Sequence, residues 1–238
     1  VGLGVMGLHS YFQQKMIPIE SVMSKVWNKK IFEHIQEEVD QASKDLAEER
    51  GPCPDAADYG INERFSNKTA IAPTASISII CGGTSPGIEP IAANSFTHKT
   101  LSGSFNVRNK YLQQILEKYN KNDDETWSGI TTNQGSVSHL DFLTDLEKDV
   151  FKTAFELDQK RIIELGADRT PYISQAQSIN IFLPADIHKK ELHQIHFQAW
   201  KKGLKSLYYC RSKSIQRAEN VNSGSSTDVE KNVYSQNT

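Results

Sequence analysis

The chain has 238 residues, which is enough for one large domain or two small ones. Its formal net charge of -2 argues against a general nucleic-acid or membrane-surface binder, and no apolar run is long enough to span a bilayer. The three cysteines, Cys53, Cys81 and Cys210, lie far apart. They indicate neither a disulfide framework nor a zinc site, and they suit a reducing cytoplasm.

The chain opens on a glycine-rich segment. Gly2, Gly4 and Gly7 have the spacing of the dinucleotide-binding pattern of three glycines. No clear strand precedes them, however, and no acidic residue is visibly placed to hold a ribose. We therefore favour a closely packed turn, with dinucleotide binding as the alternative.

Residues 20–50 are predicted to form one long amphipathic helix. Apolar residues recur near a 3.6-residue period, with Lys and Glu on the opposite face. Ser21 is placed to cap the start, and Gly51 followed by Pro52 ends the helix. This pattern indicates a scaffold element and not a site.

The central candidate site follows a short apolar run. Residues 69–72 are typical of a buried strand, which ends at Pro73 because proline has no N–H for a sheet. Thr74, Ala75 and Ser76 come next, and their short side chains let an anion approach the main chain. If a helix begins there, its free amides and positive dipole end face the same point. The segment predicts a phosphate or diphosphate site, with an ordinary Ser/Thr-capped turn as the alternative.

The second half of the chain predicts a strand–helix–strand unit. Thr144 and Glu147 form a capping box that opens a helix to Leu165. A strand over residues 179–183, a helix over 186–202 and a strand over 204–210 then follow. Strands joined in this way are expected to be parallel.

Tyr208 and Tyr209 form a second candidate site. Adjacent strand residues point to opposite faces, so one phenol is expected to face the interior and the other the opposite side. The alternative is that both are simply strand-forming residues. His193 and His196 share a helix face, but no carboxylate or cysteine completes a ligand set, so we predict no metal site.

Taken together, three stretches resemble the large, catalytic subunit of class I ribonucleotide reductase. They are the Pro-Thr-Ala-Ser run with the glycine-rich turn that follows it, the hydroxyl-rich residues 97–105, and residues 200–212 with the paired tyrosines. The resemblance implies an α/β fold, the later half of a ten-stranded α/β barrel, over residues 1–217. The Asn-, Ser- and Thr-rich residues 218–238 are expected to be a disordered tail.

The resemblance also implies a function and its residues. The activity is reduction of ribonucleoside diphosphates to deoxyribonucleotides by a radical mechanism. The substrate diphosphate would be held by the loop of Pro73, Thr74, Ala75, Ser76 and Ile77. Tyr208 and Tyr209 would relay a radical from a small subunit to an active-site cysteine.

Several parts of the family pattern are expected outside this chain. The thiyl cysteine, the redox cysteine pair and the glutamate and asparagine beside the thiyl precede it, and Cys53, Cys81 and Cys210 do not match them. We expect no cofactor on this chain, a metal-radical cofactor in the small subunit, nucleotide effectors, and thioredoxin or glutaredoxin as reductant. The expected partners are the small subunit and the missing N-terminal part of the large subunit. The alternative is a non-catalytic fragment that binds a phosphorylated ligand or a partner chain.

Overall fold

The computed structural model describes residues 2–100 and 103–212, so the predicted tail over 218–238 lies outside the described residues. The helices are α1 (Leu8–Gln14), α2 (Val22–Arg50), α3 (Pro54–Asp58), α4 (Ala75–Ile80), α5 (Lys110–Lys118), α6 (Asp124–Thr132), α7 (Asp145–Val150), α8 (Gln159–Arg169) and α9 (Lys189–Lys201), with a 3₁₀ turn at Thr170–Tyr172. The strands are β1 (Ser95–Thr100), β2 (Gly103–Arg108), β3 (Ile181–Leu183) and β4 (Cys210–Ser212).

The helix α2 confirms the prediction for residues 20–50. The Ser21 hydroxyl accepts the Ser24 N–H at 3.2 Å, and Gly51 ends the helix with a φ of 80°. The buried face of α2 packs against α8, where the Asn28 side chain donates to the Leu165 carbonyl at 2.9 Å. α2 therefore has a structural role, as the helix that supports α8.

Four parallel segments form what we call the parallel array: Leu3, residues 69–71, residues 177–183 and residues 208–212. Leu3 bridges Thr69, and Ile71 bridges Gln177, both in parallel. β3 then pairs in parallel with β4. Helices connect consecutive segments, so the array is a mixed α/β arrangement. The predicted parallel pairing of the last two strands is confirmed.

Two hydrophobic clusters support this arrangement. The larger one lies between the array and helices α1, α2, α8 and α9, and its most buried members are Phe12, Phe32, Ile163, Ile179 and Ile181. The smaller one lies among α5, α6 and α7, and includes Leu112, Leu116, Trp127, Ile130 and Phe151. None of the helices in the described ranges combines the length and hydropathy needed to cross a bilayer.

The continuous helix predicted from Thr144 to Leu165 is wrong. The capping box at Thr144 is present, but α7 ends at Val150 and α8 begins only at Gln159. Phe151 between them is fully buried, and the Glu20 carboxylate accepts the Asp158 N–H at 2.8 Å. A contact from the start of α2 therefore stabilises a second helix start, where the Asp158 side chain caps α8.

Two predicted boundaries also differ in the last unit. His188 and not Asp186 caps α9, because its Nδ1 accepts the Lys190 N–H at 3.1 Å. β4 begins at Cys210 instead of Leu204. Before it the chain is irregular, and the Lys205 ammonium donates to the three carbonyl oxygens of residues 173–175, which follow the 3₁₀ turn.

Candidate functional site

Thr74 has an unusual backbone conformation at the exit of the central strand. It precedes α4 with a φ of 51°, in the left-handed region that β-branched residues rarely adopt. Its hydroxyl does not cap the helix. It accepts the Gly87 N–H at 2.8 Å instead. A strained residue held by a specific contact is frequent at binding sites.

The first turn of α4 presents unused hydrogen-bond donors. The backbone amides of Ala75, Ser76 and Ile77 make no hydrogen bond within the described ranges, and all three residues are exposed. Thr74 accepts from Gly87 through an oxygen lone pair, so its own O–H remains able to donate. The loop of Pro73, Thr74, Ala75, Ser76 and Ile77 therefore offers the donors that the sequence predicted for an anion.

The segments that contain Gly4 and Gly87 pack closely against residues 70–72, just before this loop. A Cβ on Gly4 would lie 2.7 Å from the Ala70 carbonyl oxygen. A Cβ on Gly87 would lie 2.9 Å from the Ala72 carbonyl oxygen, and Gly87 also has a φ of 50°. Close packing thus accounts for Gly4, as the favoured interpretation of the N-terminal glycines predicts.

Tyr208 and Tyr209 lie with their rings in contact. The ring centroids are 4.1 Å apart at an interplanar angle of 50°, and the two residues are 49% and 55% exposed. The expectation that they point to opposite faces is wrong, because both precede the regular part of β4. The hydrogen bond to Tyr209, followed by its charge, raises the pKa of Tyr208.

The backbone of the tyrosine pair is bound to the neighbouring segment on both sides. The Tyr208 N–H donates to the Ile179 carbonyl at 2.8 Å, and the Ile181 N–H donates to the Tyr209 carbonyl at 2.9 Å. The Tyr209 N–H donates to the Asn180 side-chain oxygen at 3.0 Å. The position of the pair along the parallel array is therefore set by residues 179–181.

The loop and the tyrosine pair both follow segments that contact residues 177–179. Ile71, two residues before Pro73, bridges Gln177, and the Ile71 carbonyl accepts the Ser178 N–H at 3.0 Å. On the other side, the Tyr208 N–H donates to the Ile179 carbonyl at 2.8 Å.

Glu89 is a buried acidic residue to which the sequence analysis assigned no role. It is 6% exposed, and its Oε1 has no hydrogen-bond partner in the described part of the chain. Burial raises the pKa of Glu89, while Asn180 and the charge of Arg211 oppose that rise. In the sequence, the position of Glu89 between the apolar residues Ile88 and Pro90 could have indicated that its carboxylate is buried.

The cysteines and histidines considered in the sequence analysis form no cluster within the described ranges. The three cysteines are free, with Cys53 half-buried and both Cys81 and Cys210 exposed. His193 stacks on Phe197 on the α9 surface. Across residues 2–100 and 103–212, no three His, Cys, Asp or Glu side chains are arranged to hold a metal ion.

Comparison with known proteins places this geometry in a family. The family model described as the barrel domain of ribonucleotide reductase matches residues 1–59 and 55–210. The ribonucleoside-diphosphate reductase large subunit of Invertebrate iridescent virus 6 is 48% identical in an alignment of length 227 that covers 94% of this chain and 24% of that protein. The large subunit of Caenorhabditis elegans is 33% identical in an alignment of length 251, gaps included, that covers 92% of this chain and 31% of that protein.

A solved structure agrees with the sequence comparisons. The Actinobacillus ureae class Id ribonucleotide reductase alpha subunit superposes with a TM-score of 0.82 at 38% identity, over 90% of this chain and 39% of that chain. The chain therefore spans between 24% and 39% of the length of these relatives. Because the family model covers nearly all of the described residues, the chain belongs to the ribonucleotide reductase barrel-domain family.

Proposed function

We propose that this chain is part of the catalytic large subunit of a cytoplasmic ribonucleoside-diphosphate reductase, which supplies deoxyribonucleotides for DNA synthesis. Within that subunit the chain would form the later half of the ten-stranded barrel. The observation that carries the proposal is the presence of a donor-rich loop and a contacting tyrosine pair on segments of the parallel array, in a chain of this family.

The loop of Pro73, Thr74, Ala75, Ser76 and Ile77 is the proposed diphosphate site. Three amides that have no partner among the described residues, together with the exposed Ser76 hydroxyl, supply neutral donors for phosphate oxygens. Thr74 anchors the loop to Gly87, so the donors are held in place before substrate arrives. Preorganised donors lose less conformational entropy on binding.

Tyr208 and Tyr209 are the proposed radical relay. In each step, the phenoxyl takes one electron and one proton from the neighbouring phenol, so one O–H bond forms as the other breaks and no net charge develops. Ring contact at 4.1 Å between centroids suits this exchange, because the electron and the proton have only a short distance to travel.

The remaining chemistry would come from other parts of the enzyme. The thiyl cysteine, the redox cysteine pair and the nucleotide effector sites would lie in the large subunit outside this chain, with thioredoxin or glutaredoxin as reductant. A small subunit would hold the metal-radical cofactor and pass the radical to the tyrosine pair.

Substitution of Tyr209 tests the relay in the complete large subunit assembled with its small subunit. Tyr209→Phe keeps the ring but removes the exchangeable proton, so turnover falls below detection while nucleotide binding is retained. Tyr59→Phe is the control, because Tyr59 is 83% exposed and remote from the pair in sequence. Normal turnover in Tyr209→Phe would refute the relay.

A charge placed in the loop tests the diphosphate site. Ser76→Asp puts a carboxylate beside the proposed phosphate position, and repulsion at about 4 Å in a surface environment weakens binding by at least about tenfold. Ser128→Asp, on the exposed side of α6, is the matched control. Equal nucleoside diphosphate affinity in both variants, measured by calorimetry, would rule out this loop as the site.

A further inference from the structure

The backbone contacts of Tyr208 and Tyr209 do not follow a regular parallel ladder. The register of β3 and β4, continued back along both segments, pairs the Ile179 carbonyl with the N–H of Tyr209. The Tyr208 N–H donates to the Ile179 carbonyl instead, at 2.8 Å. The Ile181 N–H donates to the Tyr209 carbonyl at 2.9 Å. Two tyrosines therefore lie opposite one residue, Asn180, and this arrangement is a β-bulge.

The bulge explains why the two phenol rings touch. In a regular strand neighbouring side chains alternate between the two faces, and residues two apart share a face. The Arg211 guanidinium carbon lies 5.8 Å from the centroid of the Tyr209 ring, so Tyr209 and Arg211 keep this relation. Tyr208 is the residue that the bulge turns to the face of Tyr209, where the ring centroids are 4.1 Å apart. Without the bulge, the two rings would point to opposite faces.

Asn180 accepts the N–H that the bulge displaces from the ladder. Because the Ile179 carbonyl binds the Tyr208 N–H, the Tyr209 N–H needs another acceptor, and the Asn180 Oδ1 accepts it at 3.0 Å. Asn180 is 2% exposed, and both of its chain neighbours bond to the tyrosine segment. A side chain that accepts no hydrogen bond would leave this N–H without its acceptor and make the bulge less favourable than a regular strand.

We propose that Asn180 is a positioning residue for radical transfer. Its side-chain oxygen stabilises the bulge, and the bulge holds the rings of Tyr208 and Tyr209 in contact. In the transfer, one electron and one proton pass from one phenol to the phenoxyl of the other, so one O–H bond breaks as the other forms. The distance that both travel is short only while the rings are in contact. This inference rests on the proposed relay function of the tyrosine pair.

Asn180→Leu tests the inference in the complete large subunit assembled with its small subunit. Leucine is close to asparagine in size but accepts no hydrogen bond. We expect kcat to fall by about tenfold, with less than about a twofold change in the KM for nucleoside diphosphate, because the ring contact depends on Asn180 and the substrate loop does not. Unchanged kcat would overturn the inference.

Asn94→Leu is the matched control. Asn94 is 1% exposed, and its side chain donates to the carbonyls of Gly135 and Phe151 beside the smaller hydrophobic cluster. The substitution therefore removes buried asparagine hydrogen bonds that do not involve the tyrosine pair. It is expected to lower the thermal unfolding midpoint without a comparable fall in kcat. An equal fall in kcat in both variants would overturn the inference.

A spectroscopic readout separates positioning from structural support. With 3-aminotyrosine at position 209, the more easily oxidised ring traps the radical. The splitting of its electron paramagnetic resonance signal by the methylene protons then reports the orientation of the ring. We expect Asn180→Leu to change this splitting and Asn94→Leu to leave it as it is. An unchanged splitting in Asn180→Leu would overturn the inference.

A backbone ester at position 209 keeps the inference testable if Asn180→Leu does not fold. Replacing the amide between Tyr208 and Tyr209 by an ester removes the N–H that Asn180 binds and leaves every side chain in place. We expect kcat to fall as it does in Asn180→Leu. The same ester at Tyr59, which is 83% exposed, is the control and is expected to retain kcat. Full turnover with the ester at position 209 would overturn the inference.

Tyr209→Phe distinguishes failure of this inference from failure of the proposed function. If Tyr209→Phe turns over normally, the relay and this inference are both refuted. If Tyr209→Phe is inactive while Asn180→Leu is fully active, only the inference fails.

Discussion

Thr74→Val removes one hydroxyl from the loop and little else. Valine keeps the β-branch and therefore the strain of the φ of 51° at this position. What is lost is the acceptor for the Gly87 N–H, a hydrogen bond of 2.8 Å to a buried residue. Without the Thr74–Gly87 hydrogen bond, the exposed amides at the start of α4 are no longer held in the orientation that an anion needs.

The size of the effect follows from that one hydrogen bond. Leaving a buried N–H unpaired costs about 1–2 kcal/mol, which lowers the occupancy of the binding-competent loop by a factor of about 5–30. The KM for nucleoside diphosphate rises by up to that factor. The thermal unfolding midpoint of the ligand-free protein falls by about 2–8 °C for a domain of this size.

Thr74→Ser is the matched control, because serine keeps the hydroxyl and lacks only the methyl group. It is expected to retain the KM and the unfolding midpoint of the unsubstituted protein in steady-state kinetics and differential scanning calorimetry. If valine and serine give the same KM and the same midpoint, the Thr74–Gly87 contact does not organise the loop, and the reasoning fails.

Three further predictions concern packing and buried charge. Gly4→Ala places a Cβ 2.7 Å from a carbonyl oxygen and destabilises the fold by about 1–3 kcal/mol in thermal melts, whereas Gly2→Ala, at 3.5 Å from its nearest atom, is tolerated. Burial lowers the pKa of His9 to about 3, so below about pH 6.5 the unfolded chain binds a proton that the folded chain does not. Stability therefore falls by up to about 1.4 kcal/mol per pH unit as the pH drops from 6.5 to 5, and His9→Asn flattens this slope in urea titrations. Arg169→Met leaves two buried amide side chains without their donor and costs about 1–3 kcal/mol, whereas Arg161→Met at the surface costs less than about 1 kcal/mol by the same measurement.

Capping residues and other local sequence patterns correctly predicted the elements that they stabilise. Ser21 and Gly51 set the limits of α2, and the capping box at Thr144 opens α7. β3 lies inside the strand predicted over residues 179–183 and pairs in parallel as expected. Each of these features depends on contacts within a few residues or on a connection of fixed handedness, which a single sequence displays directly.

A long-range contact decided the helix break that the sequence analysis missed. The break between α7 and α8 coincides with the burial of Phe151 and with the bond from the Asp158 N–H to Glu20, 138 residues away. Periodicity carries no information about a partner so far along the chain. The antiparallel hairpin of β1 and β2 is local, and it was not predicted because residues 94–107 are mixed in character and show no clear alternation.

The sequence by itself determined the family of this chain and the two segments proposed for its chemistry, because short ordered motifs identify both without any knowledge of the fold. Only the tertiary structure decided that the Thr74 hydroxyl accepts from Gly87, that the two phenol rings touch, and that the Tyr209 N–H donates to the Asn180 side chain. Those contacts join positions up to 29 residues apart, from Asn180 to Tyr209. They arise when parallel segments are brought side by side, and local residue patterns do not encode that arrangement.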